Sequence, residues 1–214
     1  MTSRSVSIII PVFNEASTIA EVLRRALCQR IDGWEKEIIV VNDASTDNSP
    51  YEIERIRSSI ASDALILCSH KKNKGKGEAI KTALRHASGE YILIHDADLE
   101  YDCTDWHTLL REISGSHRQV IYGARAICPQ GNGYLHYVLG ARLLTLVANV
   151  LFNAHLTDMY TGYKLIPTQL LRELQIESSR FEFEAEVTAK LLKQKIPIKE
   201  VAVHYYPRTF RRGK

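Results

Sequence analysis

Asp96, Asp98 and Glu100 occupy alternate positions in the run YILIHDADLE, directly after four apolar residues, Tyr91 to Ile94. The apolar run has the length of a buried strand, and in a parallel α/β sheet ligands bind at the carboxyl ends of strands. Three carboxylates there would repel a polyanion unless a cation lay between them. Hard oxygen donors at i, i+2 and i+4 suit Mg2+ or Mn2+, which keep positions open for phosphate oxygens. An isolated DxD is equally an acidic turn closing a strand, so the reading depends on what the other strand ends carry.

The elements that must position these residues alternate along the chain. A β-branched strand over 6–12, with Pro11 near its end, leads into a loop holding Asn14 and Glu15. A helix follows, with Thr18 and Glu21 at capping-box spacing and Ile19, Val22, Leu23, Ala26 and Leu27 on one face. A second strand over 37–41 empties into a polar loop, 42–48, that contains Asp43, before Ser49, Pro50 and Glu52 mark a helix start. After a strand over 64–68 the loop changes sign, with five lysine or histidine residues and two glycines in HKKNKGKG. Backbone N–H groups at a helix start favour anions, which makes Lys76 a candidate for phosphate; a solvated basic loop is the plain alternative, and the P-loop spacing is absent. The helix over 78–87, a helix capped by Thr104 or Asp105, and a strand over 119–123 that ends in Arg125 complete the alternation, which predicts a parallel sheet. A long helix over 134–152 has an unusually wide apolar surface, either core or a lipid-facing side. A helix over 181–194 carries Glu182, Glu184 and Glu186 in its first turns, and a last strand covers 198–206.

Length and composition bound the function. A chain of 214 residues is most economically one domain. Lys plus Arg number 28 against 25 for Asp plus Glu, too even to predict nucleic-acid binding. Cys28, Cys68, Cys103 and Cys128 lack metal-binding spacing and read as reduced thiols in a cytosolic compartment. The N-terminal apolar run is too short for a signal peptide, and the stretch 138–152 falls short of the roughly 20 residues a spanning helix needs. The chain reaches Lys214 in a basic run with no terminating element, which predicts a C-terminally truncated chain.

The series IIIPVFNE, VNDASTDNS, NKGKGEAIKTAL, HDADLEYD, YGAR, LTDMYTGYK, FEFEAE and YYPRTFRRGK resembles glycosyltransferase family 2, and within it the branch of dolichyl-phosphate mannose synthase and bacterial polyprenyl-phosphate sugar transferases. The resemblance spans essentially the whole chain. It implies a GT-A fold, a Rossmann-like, mostly parallel sheet flanked by helices in a single domain. Residues 1–125 would form the nucleotide-sugar and metal part and 126–214 the acceptor side. It further implies a nucleotide-sugar donor, a divalent metal, Mg2+ or Mn2+, and inversion at the sugar carbon. By position, Pro11, Asn14 and Glu15 match the motif holding base and ribose, and Asp43 the acid on the base. Asp96, Asp98 and Glu100 match the metal-binding residues, and Arg125 the arginine facing donor phosphates, with Ala124 where serine is usual. Glu184 and Glu186 match the catalytic Gln/Glu and closing acid of the FxFQxE pattern. Arg208 and Lys214 match a basic pair at the acceptor phosphate. His95 replaces a common glutamine, and the segment after Arg125 fits the family pattern poorly, so its acceptor contacts stay unassigned.

Two acceptors stand open. A polyprenyl phosphate is already anionic near neutral pH, with a second pKa of about 6, and needs orientation by Arg208 and Lys214. A saccharide hydroxyl needs a general base, for which Glu184 or Glu186 is the candidate. The first reading predicts a cytoplasmic protein peripheral to the cytosolic membrane face. A sugar nucleotidyltransferase, which would carry a glycine-rich first loop, and a non-catalytic nucleotide-binding module are the competing classes; PVFNEAS contains no glycine, and the intact DAD argues against the module.

Overall fold

A computed structural model describes residues 4–60, 65–114, 118–125 and 135–208. In chain order the elements are β1 (Arg4–Val12), α1 (Ile19–Cys28), β2 (Trp34–Asn42), α2 (Ser49–Ser58), β3 (Leu65–Ser69), α3 (Lys76–His86) and β4 (Tyr91–Ile94). They continue with α4 (Asp105–Arg111), β5 (Val120–Arg125), α5 (Leu135–Phe152), β6 (Lys164–Pro167), α6 (Thr168–Glu173), α7 (Glu182–Lys193) and β7 (Ile198–Val203). The strands form one sheet in the order β3-β2-β1-β4-β6-β5-β7.

Helices cover both faces of this sheet, which is why the central strands read as continuous apolar runs. Side chains alternate across β1: Ile8 and Ile10 pack with α1, α2 and α4, while Ile9 packs with α3, α6 and α7. Trp106, with no exposure, is the largest side chain of the first layer. Its truncation to Ala would cost about 3–5 kcal/mol by the usual cavity rule.

One strand departs from the alternation that predicts a parallel sheet. β6 lies between β4 and β5 and runs antiparallel to both, whereas every other pairing is parallel. An antiparallel strand begins where its parallel neighbours end. The residues leading into β6 are thus delivered to the same sheet edge as the loops after β1, β2, β4 and β5.

The expected capping box at the start of α1 does not form. Thr18 Oγ1 lies 2.8 Å from the Ala97 carbonyl and 3.0 Å from Glu15 Oε2, tying the first loop to the acidic one, while Glu21 pairs with Arg24 and Arg25. The helix start gives up its side-chain cap, and the loops after β1 and β4 are joined instead.

Candidate active site

Three of the loops at this edge hold a non-glycine residue in left-handed backbone: Asn14 at φ 56°, Ala44 at 58° and Leu99 at 61°. Such residues cost roughly 1–2 kcal/mol each outside glycine, and the network around them is what holds them there. The Asn14 amide N–H donates to Ser45 Oγ (3.0 Å), Glu15 N–H to Ser49 Oγ (2.8 Å) and Ala16 N–H to Asp47 Oδ2 (3.0 Å). The loops after β1 and β2 are thereby one unit, with Pro11 in register with Val41 just behind them. Asp43, almost fully buried, accepts the backbone N–H groups of Lys74 (2.8 Å) and Gly75 (2.6 Å) and faces His70 Nδ1 at 2.6 Å. It fixes the basic loop in place. Gly75 sits at φ 96°, and a Cβ there would lie 2.6 Å from the Ser179 carbonyl. Of that loop's lysines, Lys71, Lys72 and Lys74 are solvated and Lys76 turns inward.

Lys76 Nζ meets Asp96 Oδ1 at 2.7 Å and Glu184 Oε1 at 2.8 Å. Burial alone would lower its pKa; the two carboxylates win and raise it. Burial likewise pushes the Asp96 carboxyl up, and the attraction and hydrogen bond of Lys76 bring it below its ordinary value. Asp98 and Glu100 face a different cation, Arg208, at 3.2 and 3.6 Å, and Arg208 also forms a two-pronged pair with Glu15. Asp98 is pushed up to about 7 by burial first and then by repulsion from Asp96 and Glu100. Asp96, Asp98 and Glu100 offer oxygen donors of the type Mg2+ or Mn2+ takes, and a carboxylate raised by its neighbours is one a cation would relieve. Among the described residues no three or more His, Cys, Asp or Glu side chains are gathered as a metal-binding group; Lys76 takes Asp96, and Arg208 takes Asp98 and Glu100.

Behind the acids, His95 is buried against Trp106, Tyr163 and Cys103. Trp106 Nε1–H, which only donates, points at His95 Nδ1 from 3.3 Å, and Tyr163 Oη lies 2.7 Å from the same atom. His95 is therefore the neutral Nε2–H tautomer, and burial lowers its pKa to about 4.

Arg125 is held by Asp158, with Nε–Oδ2 at 2.6 Å and a second nitrogen 2.8 Å from Oδ1, and lies over the Tyr205 ring at 5.1 Å. Tyr205 O–H donates to Glu100 Oε2 at 2.6 Å. Lys76, Asp96, Glu100, Arg125, Glu184 and Tyr205 line a cleft of about 150 Å³. A larger hollow, about 240 Å³ beside Ser114, Gln119, Pro197 and Lys199, has no carboxylate in its lining.

Of the residues expected from sequence, Glu15, Lys76, Asp96, Asp98, Glu100, Glu184 and Arg208 are linked by ion pairs, and Arg125 lines the same cleft. Glu186 is not brought there: its oxygens accept the N–H groups of Glu177 (2.9 Å) and Ser178 (2.7 Å) and pair with Lys190. Lys214 and the loop 126–134 lie outside the described residues. Sequence reasoning missed Asp158, Tyr101, Lys164 and Tyr205 as site residues. Their signal was present in LTDMYTGYK, HDADLEYD and YYPR, but only the antiparallel course of β6 brings 158–164 to the cleft.

A mostly parallel sheet with carboxylates, an inward lysine and an arginine at one edge defines an α/β protein whose charged side chains converge at the strand ends. Residues 7–175 match the family model for glycosyl transferase family 2, and the chain belongs to that family. It is 27% identical over 207 residues to the low-salt glycan biosynthesis hexosyltransferase Agl6 of Haloferax volcanii, covering 95% of this chain and 48% of that protein. It is 24% identical to the dolichyl-phosphate beta-glucosyltransferase ALG5D of Trichomonas vaginalis, covering 94% and 65%. The chain thus spans about half to two thirds of the length of these relatives. Among solved structures it resembles glucosyl-3-phosphoglycerate synthase from Mycobacterium tuberculosis in complex with UDP, with a TM-score of 0.74, 17% identity and coverage of 96% and 72%. It also resembles the mannosyltransferase PcManGT from Pyrobaculum calidifontis in complex with GDP-Man and Mn2+, with a TM-score of 0.68, 22% identity and coverage of 99% and 59%. The fold is GT-A.

Proposed function

We propose that this chain is the catalytic part of a metal-dependent, inverting glycosyltransferase that moves a hexose from a UDP- or GDP-sugar to a polyprenyl or dolichyl phosphate. The observation that carries the choice of acceptor is the state of the two glutamates on α7. Both Glu184 oxygens face ammonium groups, Lys76 at 2.8 Å and Lys164 at 2.7 Å, and Glu186 is engaged by backbone N–H groups and Lys190. Neither is offered as a general base, which supports an acceptor that arrives already deprotonated. The relative named as a dolichyl-phosphate glucosyltransferase supports the same class.

Breaking the bond between sugar and diphosphate leaves charge on the departing phosphate, and fixed cations aimed at that charge lower the barrier. Lys76 and Arg125 would supply them from this chain. A divalent ion held by Asp96, Asp98 and Glu100 would add further neutralisation of the leaving group; the neighbour in complex with GDP-Man and Mn2+ supports the need for such an ion. Pro11, Asn14 and Glu15 would bound the nucleoside, with Asp43 on the base, and Arg208 with Lys214 would orient the acceptor phosphate. Glu184 keeps a role as the anion that organises the lysines, and Glu186 as a brace of the segment before α7.

The α5 helix supports a membrane-peripheral site. Leu139, Leu143, Leu144, Leu146, Val147, Val150 and Leu151 are exposed, while the smaller Thr145 and Ala148 face the protein. Ala148 packs with Met159 and Tyr160, and Tyr160 lines the cleft, so this aliphatic face backs the acceptor side. No described helix is long and apolar enough to cross a membrane. An aliphatic face of this size is suited to lie in a bilayer interface, and we place it at the cytosolic face.

A melting-temperature panel of UDP-glucose, UDP-N-acetylglucosamine and GDP-mannose, with and without Mn2+, tests the donor, because a ligand bound only by the folded state raises its stability. Transfer from the donor so found is then measured to a short polyprenyl phosphate and to free saccharides. Turnover that requires the lipid phosphate is expected; turnover on a saccharide alone would move the function to the hydroxyl acceptor, and no donor shift would remove the transferase reading.

A further inference from the structure

Lys164, at the first position of β6, is buried more completely than any other described charged residue, with no exposure. Its Nζ donates to the carbonyls of Met159 (2.9 Å) and Thr161 (2.6 Å), meets Glu184 Oε2 at 2.7 Å and lies 4.5 Å from the centre of the Tyr122 ring. Burying an ammonium this deeply is costly even when it is paired, and an apolar residue is the ordinary occupant of such a strand position. The side chain continues a line of alternating sign, Lys164 to Glu184 to Lys76 to Asp96, with separations of 2.7, 2.8 and 2.7 Å. Glu184, Lys76 and Asp96 line the cleft, and Lys164 is not among its lining residues.

We infer that Lys164 is a positioning residue for the donor diphosphate: by sharing the Glu184 carboxylate, it leaves the Lys76 ammonium free to turn toward phosphate oxygens. The inference rests on the nucleotide-sugar reading of the cleft. Without Lys164, Glu184, Lys76 and Asp96 together would carry one net negative charge. Glu184, its second oxygen unpaired, would then bind Lys76 alone, and an arriving diphosphate would meet an engaged lysine in a negative setting. With Lys164 the four side chains are neutral as a set. Lys76 can exchange a carboxylate for a phosphate without leaving Glu184 bare.

The test is equilibrium binding, by calorimetry with Mn2+ present, of UDP and GDP against uridine and guanosine. It compares the wild type, Lys164→Met, and Lys164→Met combined with Glu184→Gln, each first shown folded by circular dichroism. In Lys164→Met the nucleoside diphosphate is expected to bind roughly tenfold or more weakly, the scale of one charge-assisted hydrogen bond, with nucleoside affinity unchanged. The double variant removes the surplus negative charge and is expected to recover most of the diphosphate affinity. The recovery also covers the case in which Lys164→Met alone does not fold. Equal loss for nucleoside and diphosphate, or no recovery in the double variant, would mean that Lys164 only fills the core and would overturn the inference. A wild type that binds neither UDP nor GDP would instead overturn the donor reading beneath it.

Discussion

Arg208 and Glu15 are 193 residues apart in sequence and form a two-pronged ion pair, with nitrogen to oxygen distances of 2.9 and 3.0 Å. The guanidinium also reaches Asp98 at 3.2 Å, so an internal cation stands among the acids assigned to the metal. Arg208 and a divalent ion are expected to compete. Arg208→Met should lose about 3 kcal/mol of stability in chelator, the scale for breaking a mostly buried pair, and should gain more from Mn2+ than the wild type does. Melting curves in EDTA and in Mn2+ check this; an identical Mn2+ shift in both proteins would show that the two cations do not share a place.

Gly162 lies against the acidic loop, and a Cβ there would fall 2.1 Å from Asp96 Oδ2. The obstructed atom is the tip of a side chain, so Gly162→Ala should displace the Asp96 carboxylate and leave the backbone in place. Expected is a retained fold that loses roughly 3 kcal/mol of stability, because moving Asp96 breaks its mostly buried pair with Lys76, with the Mn2+-dependent nucleotide shift lost. Retention of that shift would take Asp96 out of the donor site.

Glu184 and Glu186 should separate cleanly. Glu186→Gln is expected to keep transfer per folded molecule, whereas Glu184→Gln, which strands Lys164, should abolish it. For Glu186, burial works against the charge but the Lys190 and Ser178 hydrogen bonds outweigh it and bring its pKa down to about 2. A depressed carboxyl adds stability above its unfolded value, near 4.5, and loses it as pH falls toward 2. Glu186→Gln should therefore cost about 1 kcal/mol at pH 7, allowing for solvent screening, and progressively less below pH 4. Urea titrations across that range measure it.

Replacing Leu143 and Val150 together by glutamate should leave the melting temperature within the scatter usual for exposed sites, about 0.5 kcal/mol. Vesicle flotation and turnover on a membrane-embedded acceptor should fall, while nucleotide binding stays. Undiminished flotation would move the membrane contact off α5.

Much of this was legible in the sequence because strand runs and polar loops announce their own positions. The apolar stretches ending at Val12, Val41 and Ile94 predict three strands with acids at one end; the strands are neighbours in the sheet, and Arg208 links the acids after the first and the third. The LTDMYTGYK stretch was less readable: a four-residue strand has little periodicity of its own, and nothing local says that β6 runs against its neighbours. Lys164 and Asp158 went unassigned for that reason. Thr18 misled in the opposite way, since its capping spacing is local while its actual partner, Ala97, is 79 residues away. Glu186 was drawn in by its motif position, and only the path of the segment 177–178 reveals what it holds.

Among the described residues, β5 pairs with β6 and β7 alone, and β6 bridges it to β4. Cutting the chain after Arg125 would leave β1 to β4 without the wedge that joins β5 to them. Residues 4–125 and 135–208 are thus interleaved in space although they are consecutive in sequence. In a recombinant of two relatives joined after Arg125, the β4–β6 and β6–β5 pairings would both be formed between segments of different parents, and Asp158 and Lys164 would enter with the second parent's β6.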